Sequence, residues 1–266
     1  MKRTTLMTVL CLLGACAGTA EQPDLPYPVA VVTGEIEERF LAALPGVRAR
    51  EFSSDMRTRA IAARVDIPMD WKGTTGGEPG KALEIYVLAG ELRFSDFALG
   101  PGGYAYVPPG SLGFALASDI GAQVLYFLDE IDEKAVIRAP IIMDGSLLPW
   151  EEVHPGVFER ELRRDPGTGA RSWLLRVEPG ASLPWSRSSV NREGYFIEGD
   201  YTHGECYEGV SSTWDYLPGG YFRRPAGVVN GGPPSVATAS SVWYLRELAG
   251  GTVEIVPTCD STTPTP

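Results

Sequence analysis

The chain has 266 residues and a net charge of −11, from 23 Lys and Arg against 34 Asp and Glu. Hydrophobic residues make up 44%, enough for a buried core, so the 31 Gly and 22 Pro signal turns rather than disorder. An acidic balance without a basic run argues against a nucleic-acid partner. The only two histidines, His154 and His203, exclude a site built on three imidazoles from one chain.

Lys2 and Arg3 precede a short apolar run, Leu6 to Leu13, that is too short to span a bilayer. The run ends in Leu13-Gly14-Ala15-Cys16, which resembles a bacterial lipobox. The resemblance implies a signal peptide over 1–15, lipidation of Cys16 and export. Losing Lys2 and Arg3 with the leader takes the charge from −11 to −13. Ala17 follows the cysteine where an Asp would mark inner-membrane retention, so the implied location is the outer membrane, facing the periplasm. An ordinary secretory signal cleaved near Ala20 also means export. Residues 16–30 read as a Pro-rich tether and 258–266 as a flexible tail.

Beyond the tether, apolar spacing over Glu35–Leu44 predicts a helix. Short strand-like runs punctuated by Gly and Pro follow, and two stretches repeat. The first is Glu84-Ile-Tyr-Val-Leu-Ala-Gly90, then Pro101-Gly-Gly-Tyr104 through Pro108-Pro-Gly110 to Gly113. The second is Glu193-Gly-Tyr-Phe-Ile-Glu-Gly199, then Pro218-Gly-Gly-Tyr221 through Pro225-Ala-Gly227 to Asn230. The second copy carries eight extra residues between its two blocks. Each copy has a lead-in strand signal (Ala63–Trp71, Leu174–Trp185) and an apolar closing strand (Gln123–Leu128, Ser241–Leu248). Such a pattern without intervening helices predicts an all-β fold.

The repeated Glu-x5-Gly and Pro-Gly-Gly-Tyr-x3-Pro-x-Gly blocks resemble the two motifs of the cupin superfamily. The lead-in Trp150–Trp185 is similar to that of anti-sigma-factor cupin-like domains and of an uncharacterised family of secreted bacterial cupins. The resemblance implies two tandem jelly-roll barrels: a degenerate N-terminal domain over 31–145 and a C-terminal domain over 146–257. It also implies where metal ligands would stand. In the second copy the His-x-His positions fall on Ser186 and Ser188. The Glu position falls on Arg192 or Glu193, and the second-motif His on Asn230. In the first copy the last of these is Gly113, and Glu84 is the one ligand type left. Hydroxyls and an amide are poor transition-metal ligands, so no metal or other cofactor is expected.

The expected function is binding of a small, unidentified molecule in the C-terminal barrel, or an envelope interaction role. The candidate ligand-binding residues are Glu193, Tyr195, Ser186, Ser188, Asn230 and Arg223. Strand alternation would put Glu193, Tyr195, Tyr201 and His203 on one face. The alternative is an oxygenase or lyase whose divalent metal is held by Glu193 and His203. The first copy reads as scaffold, with Glu84, Tyr86 and Tyr104 or Tyr106 as its only pocket-lining types. Membrane contact is expected through Cys16, and homodimerisation through sheet edges. Cys206 and Cys259 are either a disulfide, which an oxidising compartment permits, or two buried thiols.

Overall fold

The computed structural model describes residues 29–75, 80–207 and 209–259. The expected signal peptide, Cys16 and most of the tether lie outside them, as does the tail from Asp260 onward. Among the described residues the chain is β-structure with two short 3-10 turns.

Each copy of the repeat builds one large and one small antiparallel sheet. In the first, Lys81–Gly90 lies between Gly103–Val107 and Ala122–Glu130 in a seven-stranded sheet. A four-stranded sheet, from Trp71–Thr75 to Phe97–Leu99, faces it. In the second, Arg192–Glu198 lies between Gly220–Arg224 and Ser241–Glu247, opposite a five-stranded sheet that contains Ser186–Ser188 and Val229–Asn230. The conserved spacing of the repeat has a steric reason. Gly90 and Gly199 both have positive φ, at 74° and 85°. A Cβ on either would meet a backbone carbonyl, Gly121 O at 2.1 Å or Ser240 O at 2.3 Å. The turn after each first-motif strand therefore requires glycine.

The eight extra residues lengthen one hairpin. Its arms are seven residues each (Tyr201–Tyr207 and Val210–Tyr216), against three in the first copy (Leu92–Phe94 and Phe97–Leu99). Cys206 lies on this hairpin and is joined to Cys259 by a disulfide. The segment before Cys259 forms a strand, Val253–Ile255, paired with Ser186–Ser188. Thr258 and Cys259 are thus held by the barrel and are not part of a free tail.

Two further expectations are corrected. Glu35–Leu44 is not helical: a 3-10 turn over Thr33–Glu35 leads to a short strand, Arg39–Phe40. Leu41 and Leu44 are buried at helical spacing, but successive tight turns place them, with Leu44 N donating to Leu41 O and Val47 N to Leu44 O. A short amphipathic segment cannot outweigh such tertiary pairing, because helix nucleation is costly. The tether ends early: Val29–Val32 is a strand, and it pairs with Gly220–Arg224 of the second copy. The start of the described chain therefore ties onto the far half.

Among the described residues, the three largest hydrophobic clusters follow from this layout. The first barrel is filled by apolar side chains, among them Trp71, Ile85, Val87 and Phe94. The second is filled by aromatic ones, including Trp173, Phe196, Phe222 and Trp243. A third cluster joins the two large sheets through Tyr86, Tyr104, Phe127, Tyr195, Tyr221 and Tyr244. Its rings stack across the junction, Phe52 on Tyr221 at 4.5 Å and Phe127 on Tyr244 at 5.5 Å.

Candidate ligand site in the second barrel

The strand Arg192–Glu198 separates two environments. Gly194 and Phe196 point into the second barrel, where Phe222, Trp243 and Leu245 lie. Tyr195 points the other way, into the cluster between the barrels. Glu193 shares that face: its Oε2 accepts from Tyr221 Oη at 2.6 Å, and its Oε1 lies 2.9 Å from Arg246 Nε. Arg223 is the cross-strand neighbour of Glu193 and is exposed. So Glu193, Tyr195 and Arg223 are on the junction side of the sheet.

Ser186, Ser188, Asn230 and His203 belong to the barrel itself. Ser186 pairs with Asn230 in register, and His203 Nε2 lies 3.2 Å from Asn230 Oδ1. His203 is buried among Tyr201, Tyr216 and Trp243. Glu193 and His203 therefore do not share a face. The physical reason is a register shift between Phe196 and Glu198: a bulge changes which side chains point inward, so alternation cannot be carried from 193 to 203. The alternative metal pair is dissolved by the same shift.

Sequence reasoning missed the charged groups that dominate this interior. Glu205 is 1% exposed and takes two bonds on Oε1 from Arg224, Nε at 3.0 Å and Nη2 at 2.5 Å. Arg192 points inward and gives Nε and Nη2 to Glu247 Oε1, at 2.9 and 2.7 Å. Ser188 Oγ reaches the same oxygen at 3.4 Å, and Arg171 Nε binds Oε2 at 3.0 Å. A parity signal was present: Glu205 shares a face with His203, and Arg224 with Phe222. Burial alone would raise the Glu247 carboxyl, but Arg192 and Arg171 hold it below the usual carboxylate range. Burial first, then Arg224, pushes His203 well below its ordinary value, so the imidazole is neutral at pH 7.

That shift has a measurable sign. Below its ordinary pKa of about 6.5, His203 takes a proton in the unfolded chain but not in the folded one. Stability then falls with pH, by about 1.4 kcal/mol per unit at most. Urea unfolding between about pH 7.5 and 5.5 is expected to lose about 1.4 kcal/mol more in the wild type than in His203→Gln. Parallel losses in the two proteins would contradict a buried neutral imidazole.

These residues do not fit a transition metal. The four positions that the motif would give to ligands hold Ser186, Ser188, Arg192 and Asn230. Of the two readings of the acid position, Arg192 is the one inside the barrel. A guanidinium there is a permanent cation with no lone pair to donate, and it repels a second cation. Among the described residues no three His, Cys, Asp or Glu side chains are grouped as metal ligands. Among the described residues the carboxylate paired with His203 is Glu205, at 3.9 Å, and Arg224 already occupies that oxygen. In the first copy Glu84 points to the junction, accepting from Tyr104 and Tyr244 at 2.7 Å each. Tyr86, Tyr104 and Tyr106 belong to the same junction cluster, so none of them lines the first barrel.

A cavity of about 290 Å³ opens at the end of the second barrel's large sheet, mostly on its junction side. Its wall includes Val190, Arg192, Glu193, Arg223, Arg246 and Leu248. It brings together two of the expected binding residues, Glu193 and Arg223. It leaves Tyr195, Ser186, Ser188 and Asn230 outside its lining.

No protein-family model matches the chain, and neither does any curated protein. Solved structures do match in fold. A candidate dioxygenase from Nostoc punctiforme superposes with a TM-score of 0.68 at 18% identity, covering 89% of this chain and 87% of its own. The Escherichia coli protein Ylba gives 0.66 at 18% identity over 82% of this chain and 89% of its own. Oxalate decarboxylase from Lactobacillus farciminis, solved with formate, gives 0.65 at 9% identity over 85% and 88%. At these identities the likeness establishes the architecture, two tandem jelly-roll barrels of the double-stranded β-helix type, and carries no activity across.

Proposed function

We propose that this protein is an exported bicupin lipoprotein that works without a resident transition metal and binds a small molecule in the cavity at the end of its second large sheet. The observation that carries the reading is the inward-facing Arg192, locked to Glu247 where the motif would place a metal-binding acid. Ser186, Ser188 and Asn230 at the other three positions point the same way. The cavity beside Arg192 supplies the binding volume. It lies near the low end of the size range of ligand pockets, which suits a small molecule.

Export and anchoring rest on the lipobox-like Leu13-Gly14-Ala15-Cys16. The disulfide between Cys206 and Cys259 supports the same compartment, since such bonds persist where thiols are not kept reduced. Transfer of the protein from the membrane to the soluble periplasmic fraction in Cys16→Ser is the signature of that anchor. An unchanged membrane fraction would refute it.

The metal-free reading is tested by thermal unfolding with and without Mn(II), Fe(II) or Zn(II), and with EDTA. A ligand that binds the native state raises Tm. The expected result is a shift below about 1 °C for every metal and for EDTA. A rise of several degrees with one metal, reversed by EDTA, would overturn it.

A further inference from the structure

We infer that the cavity at Arg192, Glu193, Arg223 and Arg246 takes a small amphipathic carboxylate, with Arg223 as its principal anchor. The inference rests on the small-molecule reading above and adds the chemical class of the ligand.

The cavity wall carries free donors and engaged acceptors. Arg223 is exposed on the cavity rim, and its side chain makes no hydrogen bond or ion pair with any described residue. Arg192 spends Nε and Nη2 on Glu247, which leaves Nη1 without a hydrogen bond among the described residues. Arg246 is 1% exposed and is spent on the junction acids, with Nη2 given to Asp129, Nε 2.9 Å from Glu193 Oε1 and Nη1 3.8 Å from Glu84 Oε2. A guanidinium N–H without a partner favours an incoming acceptor, so Arg223 and Arg192 Nη1 are the groups that call for one.

The acceptors on the same wall are already taken. Glu193 Oε2 accepts from Tyr221, and Oε1 sits against Arg246. Asn191 Oδ1 accepts from the Ala226 amide. A ligand entering here meets N–H donors on Arg223 and on Arg192 Nη1, beside a Glu193 carboxylate whose two oxygens are already engaged. Guanidinium matches a carboxylate in a two-bond fork. The rest of the wall is apolar, from Val190, Leu248 and Ala249, so the ligand has a hydrocarbon body behind its charged head. A bare inorganic anion would leave that part of the wall unused.

Titration of the ¹⁵N-labelled protein, followed by backbone amide shifts, is the test, with hexanoate as the probe. Hexylammonium reverses the charge on the same body, and inorganic phosphate supplies an anion without one. Hexanoate is expected to shift the amides of Val190, Leu248 and Ala249 saturably and to bind more tightly than phosphate. Hexylammonium is expected to produce no saturable shift. Arg223→Gln removes a side chain with no hydrogen bond or ion pair among the described residues; it is expected to weaken hexanoate binding about tenfold, and Arg223→Lys to recover part of it. Saturable hexylammonium binding, phosphate binding as tight as hexanoate, or unchanged affinity in Arg223→Gln would each overturn the inference. Its failure is separable from that of the function it rests on. Metal-insensitive protein that ignores hexanoate loses the ligand class alone, whereas metal-dependent stabilisation removes the underlying reading.

Discussion

Arg246→Leu is expected to lower the unfolding free energy by about 3–5 kcal/mol, measured by urea denaturation at neutral pH. Arg246 is the cation at the centre of the junction between the barrels. It is paired with Asp129 and Glu193 and lies 3.8 Å from Glu84. Its guanidinium also lies over the Phe127 ring at 4.2 Å. Removing it leaves three acids with Arg163, 3.5 Å from Glu84, as the other cation of the cluster. Burial already pushes the Asp129 carboxyl up despite Arg246, so the loss of the cation falls on groups poorly able to stay ionised. The cost comes from stranded charge more than from the lost pair itself. Neutralising two partners as well, in Arg246→Leu with Asp129→Asn and Glu193→Gln, is therefore expected to recover much of the loss. A single-variant effect below about 1 kcal/mol would mean that the junction is solvated and does not hold the barrels together.

Cys206→Ser combined with Cys259→Ser is expected to cost about 4 kcal/mol by the loop-entropy relation for a sequence separation of 53 residues. The same change should act locally. Cys259 fixes the end of the segment whose strand, Val253–Ile255, covers Ser186–Ser188. That segment is otherwise held by the Arg187–Glu254 ion pair at 2.8 Å and by Val256 N donating to Trp185 O. Without the disulfide, hydrogen exchange should accelerate at Val253–Ile255 before it does at Arg192–Glu198, which lies in the centre of the large sheet. Uniform acceleration, or a stability change under about 1 kcal/mol, would show that the cross-link does not constrain the strand.

The repeat was legible because its signals are backbone signals. Gly90 and Gly199 are fixed by positive φ and close carbonyls, so the same spacing recurs whatever the side chains do. The eight-residue insertion was legible as length, and it became two hairpin arms each four residues longer. What failed depended on tertiary context. Leu41 and Leu44 satisfy a helical period through tight turns. Val29–Val32 finds its partner almost two hundred residues away, at Tyr221 and Phe222, which no local pattern reports. Extending strand alternation past Phe196 crossed a bulge and put His203 on the wrong face.

The candidate site was legible by composition and not by geometry. Replacement of the motif histidines by Ser186, Ser188 and Asn230 is visible in the sequence, and so is the ambiguity between Arg192 and Glu193. Which of the two enters the barrel depends on how the preceding loop is drawn. That choice decides the chemistry: an acid would leave room for a cation, and an arginine supplies one. Glu205 and Arg224 form a buried pair from two strands whose registry is set only in the folded sheet. The polar interior is thus self-neutralising, and the ligand-facing donors are displaced to the barrel end at Arg223.

Elemental analysis of the protein, purified without added metal or chelator, tests this account most directly. The guanidinium of Arg192 in the ligand position predicts Fe, Mn, Ni, Cu and Zn each well below about 0.1 per chain, with no increase in Arg192→Ala. About one tightly bound transition metal per chain, lost on substitution of Asn230 or His203, would contradict it.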